Sequence, residues 1–407
     1  MKTIKKMMGA TLLCGGIFAL SACNDETGTS GGTTSGAVET TLENYLGYAN
    51  VVAQVLSDDA FKAYALWMGA SNLQGADAER AEALEVAGLT DGGYAARFKS
   101  HVAGDQSYSS EQACLYAIFD GCIDIATEVA DAKMGEPYNN GDVYGVESWY
   151  SFNSYTDYDD NIVSIENCYM GGPEAARDES KSLYQFCRQF DAVKAEAVKT
   201  AIEQAHDAFD AAKAKGPFRD AVLAKKDGTS SPEVETAMAK VAALGTALSE
   251  AKTLLSRMSG TEQYNQQAQA VIDQYVDKTI LATYQDLKQE AAELQQLVKT
   301  FSTEKTQASL EAACEQWKNT RKPWEMSEAF LFGPIADQQL DPHLDSWPLS
   351  QTNIKFILRG DWDWATEDGS SMGASTLGFH TLEYLLFENG APRVLTNFIQ
   401  DGKVTLK

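Results

Sequence analysis

The chain has 407 residues, room for a large core or two domains, and carries 33 Lys and Arg against 58 Asp and Glu, a formal net charge of −25 at pH 7. Phosphate binding needs a basic surface, so this balance argues against nucleic acid as a partner. It fits a protein that attracts cations, although solubility alone accounts for it equally well.

Lys2, Lys5 and Lys6 precede the short apolar run Met7 to Leu20, and Leu20-Ser21-Ala22-Cys23 reads as a lipobox. Residues 1–22 are therefore expected to be a signal peptide, with Cys23 the site of lipid attachment. Residues 23–43, rich in Gly, Ser and Thr, are expected to be the anchor and a flexible tether. No later stretch is long and apolar enough to span a bilayer.

From there the chain reads as helix. In Glu111 to Lys133, the positions Leu115, Ile118, Phe119, Cys122, Ile125, Ala126 and Val129 step by three and four and form one apolar stripe. The same period runs through 44–68, 180–213, 232–258, 262–301 and 305–330, with turn signals at Gly216-Pro217, Gly228 to Pro232 and Ser259-Gly260. Long helices joined by short turns predict an all-α fold of two packed antiparallel helical bundles. Only Ile354–Leu358 reads as a short strand. Two aromatic, polar loops, 139–160 and 333–373, interrupt the pattern, and such loops commonly carry function. Of the cysteines beyond Cys23, Cys114, Cys122, Cys168, Cys187 and Cys314 are odd in number. Cys168–Cys187 is the one pairing the sequence allows us to entertain; otherwise these are small core residues.

The most informative stretch is Gly378 to Phe387. It places His380 and Glu383 three apart on a predicted helix, on one face, in a chain with only four histidines. An imidazole nitrogen and a carboxylate facing one way can share a divalent or ferric ion. The alternative is a capping histidine beside a salt-bridged glutamate. Glu325 and Glu328 lie three apart beside Arg321, and a Glu pair with a His-x-x-Glu pair resembles the carboxylate-rich iron sites of helix bundles. Glu328 is taken as the third ligand, against an ion pair with Arg321. Trp347 is expected in the core or at the rim of the cleft.

Trp317, then Arg321-Lys-Pro-Trp-Glu-Met-Ser-Glu-Ala-Phe330, Phe332-Gly-Pro334, Asp345-Ser-Trp-Pro-Leu349 and Gly378-Phe-His-Thr-Leu-Glu383 resemble, in order, successive motifs of the imelysin family of bacterial envelope proteins. Ile123 to Val129, Lys133-Met-Gly-Glu-Pro137, Val146 to Ser154, Asp157 and Asn161 to Gly171 resemble motifs of that family's second half, here placed first. Residues 44–260 thus resemble the second half and 261–407 the first, which reads as a circular permutation. The resemblance implies a metal site built on the G-x-H-x-x-E motif and a link to iron uptake. By the same resemblance, Glu128, Lys133, Glu147, Ser148, Asn153 and Asp157 are expected to face the His380 region as wall or supporting residues. Taken singly, each reads equally as a helix cap or a buried hydrogen bond.

The resulting expectation is a lipid-anchored envelope protein that binds a metal ion, iron foremost with zinc or calcium as alternatives. It would work with the membrane through its lipid and with iron-uptake partner proteins. A metallopeptidase, as the family was first named, and a non-catalytic partner-binding lipoprotein are the competing readings. The chain lacks H-E-x-x-H, and Glu383 does not easily serve as both ligand and base.

Overall fold

The computed structural model describes residues 37–101, 105, 107–258 and 260–406. The expected signal peptide, Cys23 and most of the tether lie outside the described residues. From Val38 to Leu406 the chain forms one unit, all-α in character, around a continuous apolar core.

Two bundles share that core. In one, the first long helix, Leu42–Met68, packs along Leu281–Glu304, which packs in turn on Gln307–Glu325, and the short helix Gly378–Leu386 closes the group. In the other, Glu111–Glu128, Ser154–Met170, Ala192–Lys213 and Pro232–Lys252 pack side by side. Side chains from Thr41, Ser110, Asp191, Ser231 and Thr306 cap the helices that follow them, each satisfying a backbone N–H that the helix leaves free. The bundles meet where Gln307–Glu325 lies against Ser154–Met170 and where the turn Glu328–Phe330 lies against Glu111–Glu128. Gly121 makes the second contact possible, since a Cβ there would stand 2.0 Å from the Ala329 carbonyl oxygen.

Leu42–Met68 packs with the C-terminal helices. Other expectations change. The segment Ile354–Leu358 is helical, within Gln351–Arg359: its buried residues Ile354, Ile357 and Leu358 follow the period of a helix, not a strand. The strands lie elsewhere. Val38–Thr41, inside the stretch read as tether, pairs antiparallel with Lys403–Leu406, in a register that sets Val38 opposite Leu406. Ile399–Gln400 completes that sheet, and Phe387–Glu388 forms a hairpin with Ala391–Pro392. Cys168 and Cys187 are free thiols, like Cys114, Cys122 and Cys314, and all five are buried.

The helix that opens at Glu111 does not stay α. Pro137 has no N–H to give the Lys133 carbonyl, its partner in an α-helix. The Tyr158 hydroxyl donates to that carbonyl instead, at 3.1 Å. Upstream, Val129–Gly135 widens into a π turn, in which the Glu136 N–H reaches back to the Asp131 oxygen.

Candidate functional site

Arg321 lies where the two bundles touch and is completely buried. It sits on the last turns of Gln307–Glu325, stacked over the Phe379 ring at 5.2 Å. Its guanidinium meets three carboxylates. Nη2 is 2.5 Å from Glu325 Oε1, one turn on; Nη1 pairs with Asp345 Oδ1; and Nε lies 3.5 Å from Asp157 Oδ2. Each carboxylate has its own donors. Asp345 accepts from the Trp324 indole at 2.7 Å, Glu325 from Asn161 at 2.6 Å, and Asp157 from Asn153 at 2.6 Å and from Ser148.

His380 comes in from the opposite side on Gly378–Leu386. The glycine that opens this helix has φ +73, and a Cβ on it would stand 2.3 Å from the Leu344 carbonyl oxygen. Only glycine lets the helix start against the backbone that carries Asp345. His380 Nε2 lies 3.0 Å from Asp345 Oδ1, and Nδ1 lies 3.1 Å from Glu383 Oε2. Trp347 packs edge-on against the imidazole, with ring centroids 4.8 Å apart.

Glu383 points away from the acidic cluster. Its Oε1 accepts the Tyr150 N–H at 2.9 Å, the Ser151 N–H at 2.8 Å and the Ser151 hydroxyl at 2.7 Å. The loop giving these donors holds Ser148 and Phe152 at positive φ. It is pinned by Arg219, sandwiched between Trp149 and Phe152 at 4.4 and 4.3 Å, and by a 2.8 Å bond from the Gly390 N–H to the Tyr150 carbonyl. His380 and Glu383 do share a helix face, as their spacing requires, but they act in series: the loop fixes Glu383, and Glu383 fixes the imidazole.

Glu328 is not on the helix with Glu325. That helix ends at Glu325, and Glu328 opens the next short turn. Its Oε1 takes the Lys133 ammonium at 3.2 Å rather than Arg321, and Lys133 also lies 3.5 Å from Glu147 Oε2. Even so, one oxygen each from Glu325, Glu328 and Asp345 lie within 4.8 Å of one another, the group of metal-capable side chains found among the described residues. Glu128 is solvent-accessible, but it and Asp341 sit close enough to add their charges to the same crowded cleft.

Burial and charge pull these groups apart in protonation. Burial pushes Glu328 up to about 8 against the pull of Lys133, and Asp341 up to about 7 with help from Asp345. Glu325 is raised well above the usual carboxylate range because burial outweighs Arg321 and Lys133. Asp345 goes the other way: burial opposes ionisation, but Arg321 and His380 overcome it and hold it well below that range. Burial and Arg321 both disfavour a charged His380, yet Asp345 and Glu383 outweigh them and raise it to about 9. At neutral pH His380 is therefore an imidazolium, donating from both nitrogens.

The donor set fits a hard cation. It is rich in carboxylate oxygens, and some of these hold protons that a cation can replace. Glu325 Oε1 has no aligned hydrogen-bond donor although Arg321 lies 2.5 Å away, and Glu147 Oε2 also lacks one. His380 Nε2 becomes a ligand atom only on losing its proton, whereas both oxygens of Glu383 are already engaged.

The residues expected at the metal and its cleft lie in one region, although Asn153 and His380 are far apart in the chain; Cys23 lies outside the described residues. Asp345, which opens the motif Asp345-Ser-Trp-Pro-Leu349, is a site residue that the sequence reading did not single out. Asn161 and Asp341 were missed as well, as were Tyr150 and Ser151, whose backbone N–H groups leave no mark in sequence.

A helical fold of two bundles, with a buried, carboxylate-rich charge cluster at their contact, defines the class. The chain belongs to the imelysin family: the family model described as Imelysin, of peptidase group M75, matches residues 28–255 and 280–406. It is similar to an imelysin peptidase from Bacteroides ovatus of known crystal structure. The TM-score is 0.71 at 33% identity, over 86% of this chain and 96% of that one. Iron-regulated protein A of Synechococcus elongatus is 31% identical over 121 residues, 30% of this chain and 32% of that protein. The match therefore spans about a third of that relative's length.

Proposed function

We propose that this chain is a lipid-anchored protein of the cell envelope that binds a metal ion, iron foremost, in connection with iron uptake. The observation that carries the reading is the convergence of Glu325, Glu328 and Asp345, with one oxygen of each within 4.8 Å. Oxygen donors beside an imidazole suit ferric or ferrous iron better than they suit thiolate-seeking metals, and calcium is the next candidate. His380, once deprotonated, supplies a nitrogen at the edge of the group, while Glu383 orients it. Arg321 holds Glu325 and Asp345 in place. The name of the cyanobacterial relative and the net charge of −25 support iron over other cations. The lipobox at Cys23 supports the anchor, and no described helix is long and apolar enough to cross a membrane.

Calorimetric titration of metal-stripped protein with ferrous iron under anaerobic conditions, and with ferric citrate, tests the reading. Glu328→Gln, Asp345→Asn and His380→Ala are run alongside. Wild type should bind and Glu328→Gln should lose most of the affinity. Unchanged binding in both carboxylate variants would remove the metal from this cluster.

A further inference from the structure

Two buried cations neutralise the cluster, and they are held differently. Arg321 is completely buried and gripped by three carboxylates and an aromatic face. A guanidinium fork held in this way is a fixed part of the framework. Lys133 has only two carboxylate contacts, at 3.2 and 3.5 Å, on a flexible stem that leaves the π turn upstream of Pro137. Of these two partners, Glu328 belongs to the converging oxygen group and Glu147 does not. An ion drawn to that group needs an oxygen of Glu328, the carboxylate that Lys133 now pairs with. Glu147 stays behind as a landing place for the ammonium. The π turn fixes where the stem starts: Gly135 lets it close, since a Cβ there would stand 2.8 Å from the Ala130 carbonyl oxygen.

We propose that Lys133 is a tethered competitor: its ammonium fills the Glu328 side of the cluster and is displaced toward Glu147 by the incoming metal ion. This rests on the metal-binding reading above. Displacement removes the same lysine–glutamate contact whatever ion arrives. Lys133 therefore lowers affinity for divalent and trivalent ions by the same factor and acts as a threshold that weakly held cations do not pass. A lysine that stayed in place would instead repel in proportion to the ion's charge.

The test measures binding of Mn²⁺ and of Ga³⁺ (supplied as citrate), redox-inert divalent and trivalent probes, to wild type, Lys133→Met and Glu328→Gln. Lys133→Met should bind both ions more tightly by a common factor of about tenfold to a hundredfold, the worth of a released charge-assisted hydrogen bond. Equal or weaker affinity in Lys133→Met would make the lysine a support for Glu328 and overturn the proposal. A gain clearly larger for Ga³⁺ would make it a fixed repelling charge and also overturn it. A second measurement needs no variant: acylation of Lys133 in wild type, read by mass spectrometry, should increase several-fold at saturating Mn²⁺. Unchanged labelling, with Mn²⁺ shown to bind, overturns the competitor and leaves the metal site standing. Failure of wild type to bind either ion brings down both.

Discussion

Replacing Arg321 with Met removes a guanidinium that faces Asp345, Glu325 and Asp157, and leaves a side chain of similar reach in a fully buried place. Removing one partner from a buried ion network typically costs about 3–5 kcal/mol, because the remaining charges are uncompensated. Protonation gives the variant an escape. Arg321 is the strongest of the neighbours that hold Asp345 ionised against its burial, so without it the Asp345 pKa rises. Each unit of such a rise costs about 1.4 kcal/mol at high pH and nothing once the medium is acid enough to protonate the group in both states. The loss at pH 8 should therefore exceed that at pH 5, by about 1 kcal/mol or more. Urea unfolding followed by far-ultraviolet circular dichroism at the two pH values measures this. An equal loss at both, or no loss, would show that Arg321 packs rather than neutralises.

Glu383→Ala should destabilise by about 2–4 kcal/mol, since two loop N–H groups and the Ser151 hydroxyl lose their acceptor; Glu383→Gln keeps a carbonyl oxygen and should lose clearly less in thermal unfolding. The metal-free protein should lose stability between about pH 6.5 and 9: His380, raised to about 9, stabilises fully below its unfolded value and loses that contribution as pH climbs through 9. Glu328, raised to about 8, takes up a proton on folding, so it adds to the same downward trend, and a melting profile in chelator that rises across this window would contradict both. Metal affinity should climb with pH up to about 8 as Glu328 ionises, by up to about tenfold per unit for each proton displaced, in calorimetry at three pH values. The protein should show no zinc-dependent cleavage of an unfolded substrate protein; cleavage abolished by Glu383→Gln would instead favour the peptidase reading.

Helix existence was legible because the apolar stripes, as in Leu115 to Val129, repeat over several turns. Bundle membership was not: Leu42–Met68 is apolar enough to pack in either bundle, and its partner, Leu281–Glu304, is remote in sequence. The strand Val38–Thr41 was hidden because its stability comes from pairing with Lys403–Leu406 rather than from its own composition. At the site, residue types pointed to the right region but not to the roles. Spacing put His380 and Glu383 on one face without revealing that loop N–H groups claim Glu383. A contact pairing Glu328 with Lys133 rather than with Arg321 depends on where Gln307–Glu325 stops, which Glu325-Met326-Ser327 does not announce.

The π turn before Pro137 also bears on how relatives are compared. A π segment behaves as an α-helix with one residue added, and each residue turns the helix by about 100°. A relative one residue shorter between Val129 and Pro137 would run as plain α-helix with its flanks in the same phase, and the change would fall on the side chains within the turn, Lys133 among them. A single-residue gap there marks a change in what faces the carboxylates, and aligning through it as noise would pair a buried ammonium with a surface side chain.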